Sequence, residues 1–268
     1  MLLEIEWVFS FLLLGSFVGV MAGLLGIGGG GIMVPVLTTI FLLQGVPVEN
    51  VVHLALGTSM ASIIITSTSS MRAHNSKGAV VWKVVKGMAS GIIIGTFMAT
   101  FIASHSSSLY LAVFFSIFMA FVSVQMLLNK KPKPSRELSG NRSLFIAGMG
   151  IGAISALVSI GGGSLTVPYL AWQNINIKKA IGTSAAIGLP ISIAGTTGYV
   201  INGWSSSSME NYTFGFVYLP AVVLISATSF ITAPYGVNLA HKLPVDVLKK
   251  VFAVLLMILS LKMLFSVL

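Results

Sequence analysis

The chain has 268 residues, of which 56% are hydrophobic and 8% charged, and its formal net charge is +9. A soluble protein carries about 25% charged residues, so this chain lacks the polar shell that closes a core against water, and its solvent is the lipid bilayer. The basic residues sit in short clusters between apolar runs, which excludes nucleic acid as a partner, and the lack of cysteine excludes disulfides, thiolate metal sites and cysteine nucleophiles.

Apolar runs cover about 7–25, 32–43, 52–71, 79–103, 107–128, 143–160, 164–173, 180–203, 212–235 and 246–267. Most are long enough for a helix to cross ~30 Å of hydrocarbon, which takes roughly 20 residues. The N-terminus does not read as a signal peptide, because Glu4 and Glu6 stand where a basic region belongs. Runs 32–43 and 164–173 are too short, rising only ~18 Å and ~15 Å as helices. Each follows a glycine cluster, Gly26-Ile27-Gly28-Gly29-Gly30-Gly31 in the first half and Gly161-Gly162-Gly163 in the second.

The two clusters mark an internal repeat. Leu25 through Pro35 aligns with Val158 through Pro168, and Ala55-Leu56-Gly57-Thr58-Ser59 aligns with Ala180-Ile181-Gly182-Thr183-Ser184. The expected organisation is a first membrane repeat over 1–128, a polar cytoplasmic linker over 129–142 rich in lysine and proline, and a second repeat over 143–268.

Charge orients the segments. If each short run returns the chain to the side it came from, there are ten segments, and 14 of the 15 Lys and Arg fall on one face. If the short runs are not counted, Lys178, Lys179, Lys242, Lys249 and Lys250 move to the wrong face. The positive-inside rule selects the ten-segment arrangement. Five segments per half is odd, so the second repeat is inverted and both termini face outward. The fold class expected is therefore an all-α polytopic protein of the cell membrane, built from two inverted repeats with interrupted short helices.

Inverted repeats with broken helices are a transporter plan. A helix that starts at a glycine cluster leaves its first N–H groups free, and those groups with the positive dipole end suit an anion. Gly28, Gly29, Gly30, Gly161, Gly162 and Gly163 are thus candidate substrate contacts, since glycine lets a ligand approach the backbone. The competing role is close helix packing, which is the reading for Gly87, Gly91, Gly95, Gly148 and Gly152. Ser164 stands where the first half has Gly31 and joins the candidates. Thr58, Ser59, Thr183 and Ser184 suit two roles equally: donors to an anion, or bonds to helix carbonyls and neighbouring helices. Ser67, Thr68, Ser69, Ser70, Thr196 and Thr197 are weaker candidates. His53, His74, His105 and His241 lie near segment ends, where a solvated interfacial histidine is expected; a proton relay at His53 is the lesser alternative.

Residues 23–35, their echo at 159–168 and the paired Gly-Thr-Ser motifs resemble the TauE/SafE family over nearly the whole chain. The resemblance implies export of sulfite, sulfoacetate or a related organosulfur anion, with no cofactor. A membrane-embedded enzyme is the alternative, and it lacks a paired carboxylate, a metal-spaced cluster or a Ser–His–Asp set. A structural membrane subunit would account for packing glycines but not for two clusters at inverted positions.

Overall fold

The computed structural model describes residues 4–128, 139–204, 212–242 and 245–267; most of the expected linker (129–138), Glu210 and the side chain of Lys249 lie outside them. The described residues form ten helices: α1 (Ile5–Leu25), α2 (Gly30–Leu43), α3 (Val48–Asn75), α4 (Trp82–Ser104), α5 (Ser108–Leu128), α6 (Asn141–Val158), α7 (Gly163–Trp172), α8 (Ile177–Asn202), α9 (Leu219–Lys242) and α10 (Val245–Val267). A two-residue antiparallel ribbon, β1 (Thr213–Phe214) with β2 (Val217–Tyr218), precedes α9.

Seven of these helices, α1, α3, α4, α5, α6, α8 and α9, are long and apolar enough to cross a membrane. With 14 and 10 residues, α2 and α7 rise only about 21 Å and 15 Å. Phe9, Leu13 and Phe17 of α1, Phe97 and Phe101 of α4, and Ile117 and Phe121 of α5 are exposed, as expected of surfaces that meet lipid. By contrast α3 is buried along most of its length and forms the centre.

Two predicted runs start later as helices than their apolarity suggests. Run 79–103 becomes helical only at Trp82, and run 212–235 only at Leu219. Both openings are extended, and their backbones dock on the Gly-Thr-Ser motifs, as described below. Tertiary hydrogen bonding there wins over helix propensity.

The main helix pairings are unchanged when the halves are exchanged, although α2 packs on α10 with no comparable packing of α7 on α5 among the described residues. α1 lies along α9 as α6 lies along α4; α3 packs on α8, and α5 on α10; α4 meets α8 as α9 meets α3. Small residues make the closest of these seams. Gly15, Gly19 and Gly23 of α1 face the backbone of Ile225, Ser229 and Ala233 on α9. Gly91 and Gly95 of α4 face Phe145 and Met149, while Gly148 and Gly152 of α6 face Met88 and Ile92. Without a hydrophobic driving force between helices in lipid, such backbone approach supplies the packing. The packing role expected for the α4 and α6 glycines is what the structure has; the matching series on α1 had not been singled out.

Both short helices return the chain toward the start of the helix before them. Phe11 near the start of α1 and Phe41 near the end of α2 both contact the ring of Tyr218, at centroid distances of 6.4 and 5.8 Å. In the second half, the Gln173 amide following α7 donates to Ser139 Oγ, just before α6, at 2.9 Å. The open ends of these hairpins lie at opposite ends of α9. Tyr218 immediately precedes its first residue, whereas Lys178, just after Gln173 and its turn, donates to the His241 carbonyl in its last turn.

Candidate functional site

The closed ends of the hairpins meet each other. α1 ends where Gly26 turns left-handed (φ +68°), and Gly28 and Gly29 continue at +77° and +82° before α2 begins. In the second half Ser159 takes the left-handed position at +48° and Gly162 caps α7 at +80°. L-residues other than glycine pay for these angles. Ser159 is an exception held in place by its own side chain, whose Oγ donates to the Leu56 carbonyl at 3.1 Å.

At the contact, a Cβ on Gly28 would lie 2.9 Å from Gly161 Cα, and a Cβ on Gly161 would lie 2.9 Å from Gly28 Cα. The Gly161 N–H donates to the Ile27 carbonyl at 2.9 Å. On either side, Gly30 lies against the Ser159 carbonyl and Gly163 against that of Gly26. These glycine contacts correspond under the repeat, while the Gly161 bond to Ile27 has no reciprocal from Gly28 to Ile160 among the described residues. Gly28, Gly30, Gly161 and Gly163 each permit backbone-to-backbone approach, while Gly29 and Gly162 supply the turn.

The hydroxyl candidates divide in two. Thr58 Oγ1 accepts from the Tyr218 N–H at 3.0 Å, and Thr183 Oγ1 accepts from the Val81 N–H at 2.9 Å. Gly57 and Gly182 beside them admit the carbonyls of Phe216 and Ala79. These are the docking sites of the two extended segments that precede α9 and α4. Ser184 Oγ donates to the Gly26 carbonyl at 3.1 Å and to Ile181 at 2.8 Å. Its counterpart Ser59 is fully buried with no partner among the described residues.

Ser164 Oγ and Thr166 Oγ1, both in the first turn of α7, are likewise buried and unpartnered. Thr166 lies within 3.3 Å of where a Gly162 Cβ would stand. At Gly31, the counterpart of Ser164, Met119 Cε occupies the space a side chain needs, which accounts for the difference between the halves. Buried hydroxyls without partners carry a desolvation cost that a ligand can offset.

The weaker candidates spread out. Ser67 lies against Gly188, which in turn approaches the Gly161 carbonyl; Ser70 and Thr196 have no partner among the described residues; Ser69 donates to Phe230 O, and Thr68 and Thr197 bond within their own helices. A hydroxyl pair that sequence reasoning missed, Thr66 with Ser229 at 2.7 Å, joins α3 to α9. Thr166 was also missed, though its place two residues after Ser164 on a short helix was visible.

Two histidines correct the expectation of solvated positions. His53 is buried, with Nε2 within 3.1 Å of Ala103 O and 3.0 Å of Ser106 O, and Nδ1 3.3 Å from Ser108 Oγ. It fastens the turn between α4 and α5, whose terminal carbonyls need donors. His74 is buried as well, with Nε2 on the Gly23 carbonyl at 3.0 Å. His105 is exposed and bonds Phe101 O within its own helix.

The two glycine breaks stand in back-to-back contact at corresponding places in the two halves, and the sequence around them matches a known family. The model described as sulfite exporter TauE/SafE matches residues 11–263. The chain belongs to that family. As a TauE/SafE protein it is a multi-pass membrane transporter, not an enzyme. It is 37% identical over 253 residues to a probable membrane transporter protein of Haemophilus influenzae, covering 94% of this chain and 96% of that one. It is 27% identical over 254 residues to one of Methanocaldococcus jannaschii (91% and 92% covered), and 25% identical over 239 residues to one of Bacillus subtilis (86% and 89%). No solved structure matches.

Proposed function

We propose that the protein carries a small anion, sulfite, sulfoacetate or a related organosulfur compound, by alternating access around the crossing of the two hairpins. The observation that carries this reading is the pair of buried hydroxyls, Ser164 and Thr166, that follow the left-handed Gly162 turn without a partner among the described residues, together with Ser59, likewise unpartnered, whose counterpart Ser184 bonds Gly26 at the other turn. The first N–H groups of α2 and α7 open at those turns, at the positive ends of the helix dipoles. Gly28 to Gly30, Gly161 to Gly163 and Ser184 frame the site, and Thr58 and Thr183 hold the α3 and α8 walls to the extended segments. Neutral donors suit an anion that must also leave, and among the described residues no Lys or Arg is buried where it would trap one.

The halves act as inverted repeats, 1–128 and 143–268, joined by the linker 129–142. The main helix pairings, which survive exchange of the halves, and the hairpins opening at opposite ends of α9 support this. Lys77 and Lys178 meet Asn238 and His241 O at one end of α9, which favours a single basic, cytoplasmic face.

The test is flux in proteoliposomes, with sulfite, sulfoacetate and small carboxylates against sodium and a neutral sugar. Anion flux that falls in Ser59→Ala and Ser164→Ala at unchanged protein content is the expected result. Preferred movement of the cation or the sugar overturns the proposal.

A further inference from the structure

Where α1 and α6 stop at the glycine breaks, the chain turns away, and the carbonyls of Gly23 and Ala156 lose the amide that would have continued the helix. A side chain from another helix replaces it in each half. His74 on α3 donates from Nε2 to the Gly23 carbonyl at 3.0 Å, and Tyr199 on α8 donates its hydroxyl to the Ala156 carbonyl at 2.9 Å. A carbonyl only accepts, so the His74 proton resides on Nε2. Both side chains are buried.

The two donors correspond under the repeat. Gly23 and Ala156 stand equally far before the aligned Gly26 and Ser159, and His74 and Tyr199 equally far beyond Ser59 and Ser184. The halves share no side-chain type here, yet they share the bond. An imidazole and a phenol are different answers to one demand, a donor at that carbonyl, which a packing requirement alone does not impose.

The bonds also lie at opposite ends of the protein. The His74 ring is 5.7 Å from that of His241 in the last turn of α9, and Lys77 just beyond it donates to Asn238. The Tyr199 carbonyl instead accepts from the Phe216 N–H at 3.3 Å, just ahead of the first turn of α9. Each latch therefore ties the closed end of one hairpin to a central helix, on the side opposite the other latch.

We infer that His74 and Tyr199 are paired positioning residues, latches on α1 and α6 whose separate release opens the crossing to one face at a time. The inference rests on the alternating-access reading. Its chemistry is one hydrogen bond per face, strong enough to bias a closed state and weak enough to break in each cycle.

The absence of cysteine allows a single introduced thiol to report alone. Ser67 and Ser192 are buried, correspond under the repeat, and precede their latches by the same spacing. Maleimide labelling is measured at Ser67→Cys and at Ser192→Cys in proteoliposomes. His74→Phe should speed labelling at position 67 about five-fold, the factor for one net hydrogen bond, and leave position 192 unchanged. Tyr199→Phe, nearly isosteric, should do the reverse. His74→Tyr, which installs the donor used by the other half, should restore the slow rate.

Hydrogen exchange reads the same latches without thiols, and Tyr199→Phe should accelerate only the amides of 157–161. Equal acceleration at both sites, no acceleration at either, or failure of His74→Tyr to differ from His74→Phe overturns the inference. Side-specific labelling with no anion flux would leave the latches standing and remove the substrate reading; anion flux without side-specific labelling would do the opposite.

Discussion

Alanine at Gly29 and at Gly162 is the same chemical change at corresponding positions, yet the two sites differ in what the methyl group meets. Both glycines are left-handed, at φ +82° and +80°. That conformation costs an L-residue roughly 1–2 kcal/mol. At Gly29 the added Cβ overlaps Cγ1 of Val18, a short branched side chain whose one torsion, χ1, is strongly confined within a helix. Overpacking of that kind adds about 1–3 kcal/mol, so Gly29→Ala should lose roughly 2–5 kcal/mol in all. At Gly162 the nearest atom is Ile191 Cδ1 at 2.8 Å, the far end of a side chain that can rotate aside. Gly162→Ala should then lose little beyond the roughly 1–2 kcal/mol backbone cost. The assay is reversible unfolding in mixed micelles, with membrane abundance as a check. Val18→Ala supplies the control, because combining it with Gly29→Ala should recover the steric part, a coupling of about 1–3 kcal/mol. Equal losses at the two glycines, or simple additivity with Val18→Ala, would refute the argument. In that case the turns would be yielding rather than locked, and glycine would be needed at position 29 for something other than space.

Further outcomes follow from the hydrogen bonds. Thr58→Val and Thr183→Val remove the side-chain acceptors of the Tyr218 and Val81 amides, so each should destabilise by about 1–3 kcal/mol in thermal melts, whereas serine at either position should restore most of it. Ser59→Ala removes a hydroxyl that bonds nothing and should change stability by less than about 1 kcal/mol while weakening anion flux; its counterpart Ser184→Ala, losing a bond to Gly26, should show a measurable loss of stability instead. A thiol at Ser107 should react with an impermeant reagent added to intact cells and one at Ser76 should not; equal reaction at both would sink the ten-segment topology.

The backbone plan was legible because it is written in the two strongest signals a membrane chain carries, apolar length and glycine clustering. The short runs were correctly separated from the long ones, since ten to fourteen residues cannot span hydrocarbon whatever their composition. The starts of α4 and α9 were not legible. Residues 79–81 and 213–218 are apolar enough to read as helix, and only the distant threonines 183 and 58 draw them into extended form. Nothing local to those segments records a partner on another helix. The buried histidines escaped for the same reason: polarity near a segment end predicts water, and the carbonyls that hold His53 and His74 belong to other helices.

The candidate site shows a different limit. Glycine in sequence says that a side chain is unwelcome, not what takes its place. At Gly28 and Gly161 the other half's backbone takes it; at Gly15, Gly19 and Gly23 a neighbouring helix does. What distinguishes the crossing from the seams is the polar inventory around it. The seam glycines face carbonyls already engaged in helical bonds, whereas the crossing glycines interrupt two helices and leave amides, carbonyls and hydroxyls whose partners must come from elsewhere. Some of the partners the protein supplies come in matched pairs, Thr58 with Thr183 and His74 with Tyr199, while the Ser159 bond to Leu56 O has no counterpart at Gly26. Buried hydroxyls without a partner among the described residues also occur away from the crossing, as at Thr96 beside Gly152, but at Ser59 and Ser164 the match between the halves fails: Ser184 is bonded while Ser59 is not, and Met119 fills the space opposite Ser164. A scaffold built from two similar halves has reason to keep its structural bonds symmetric, while a small anion has no two-fold axis to respect. The residues that depart from the symmetry are therefore the ones to mutate first.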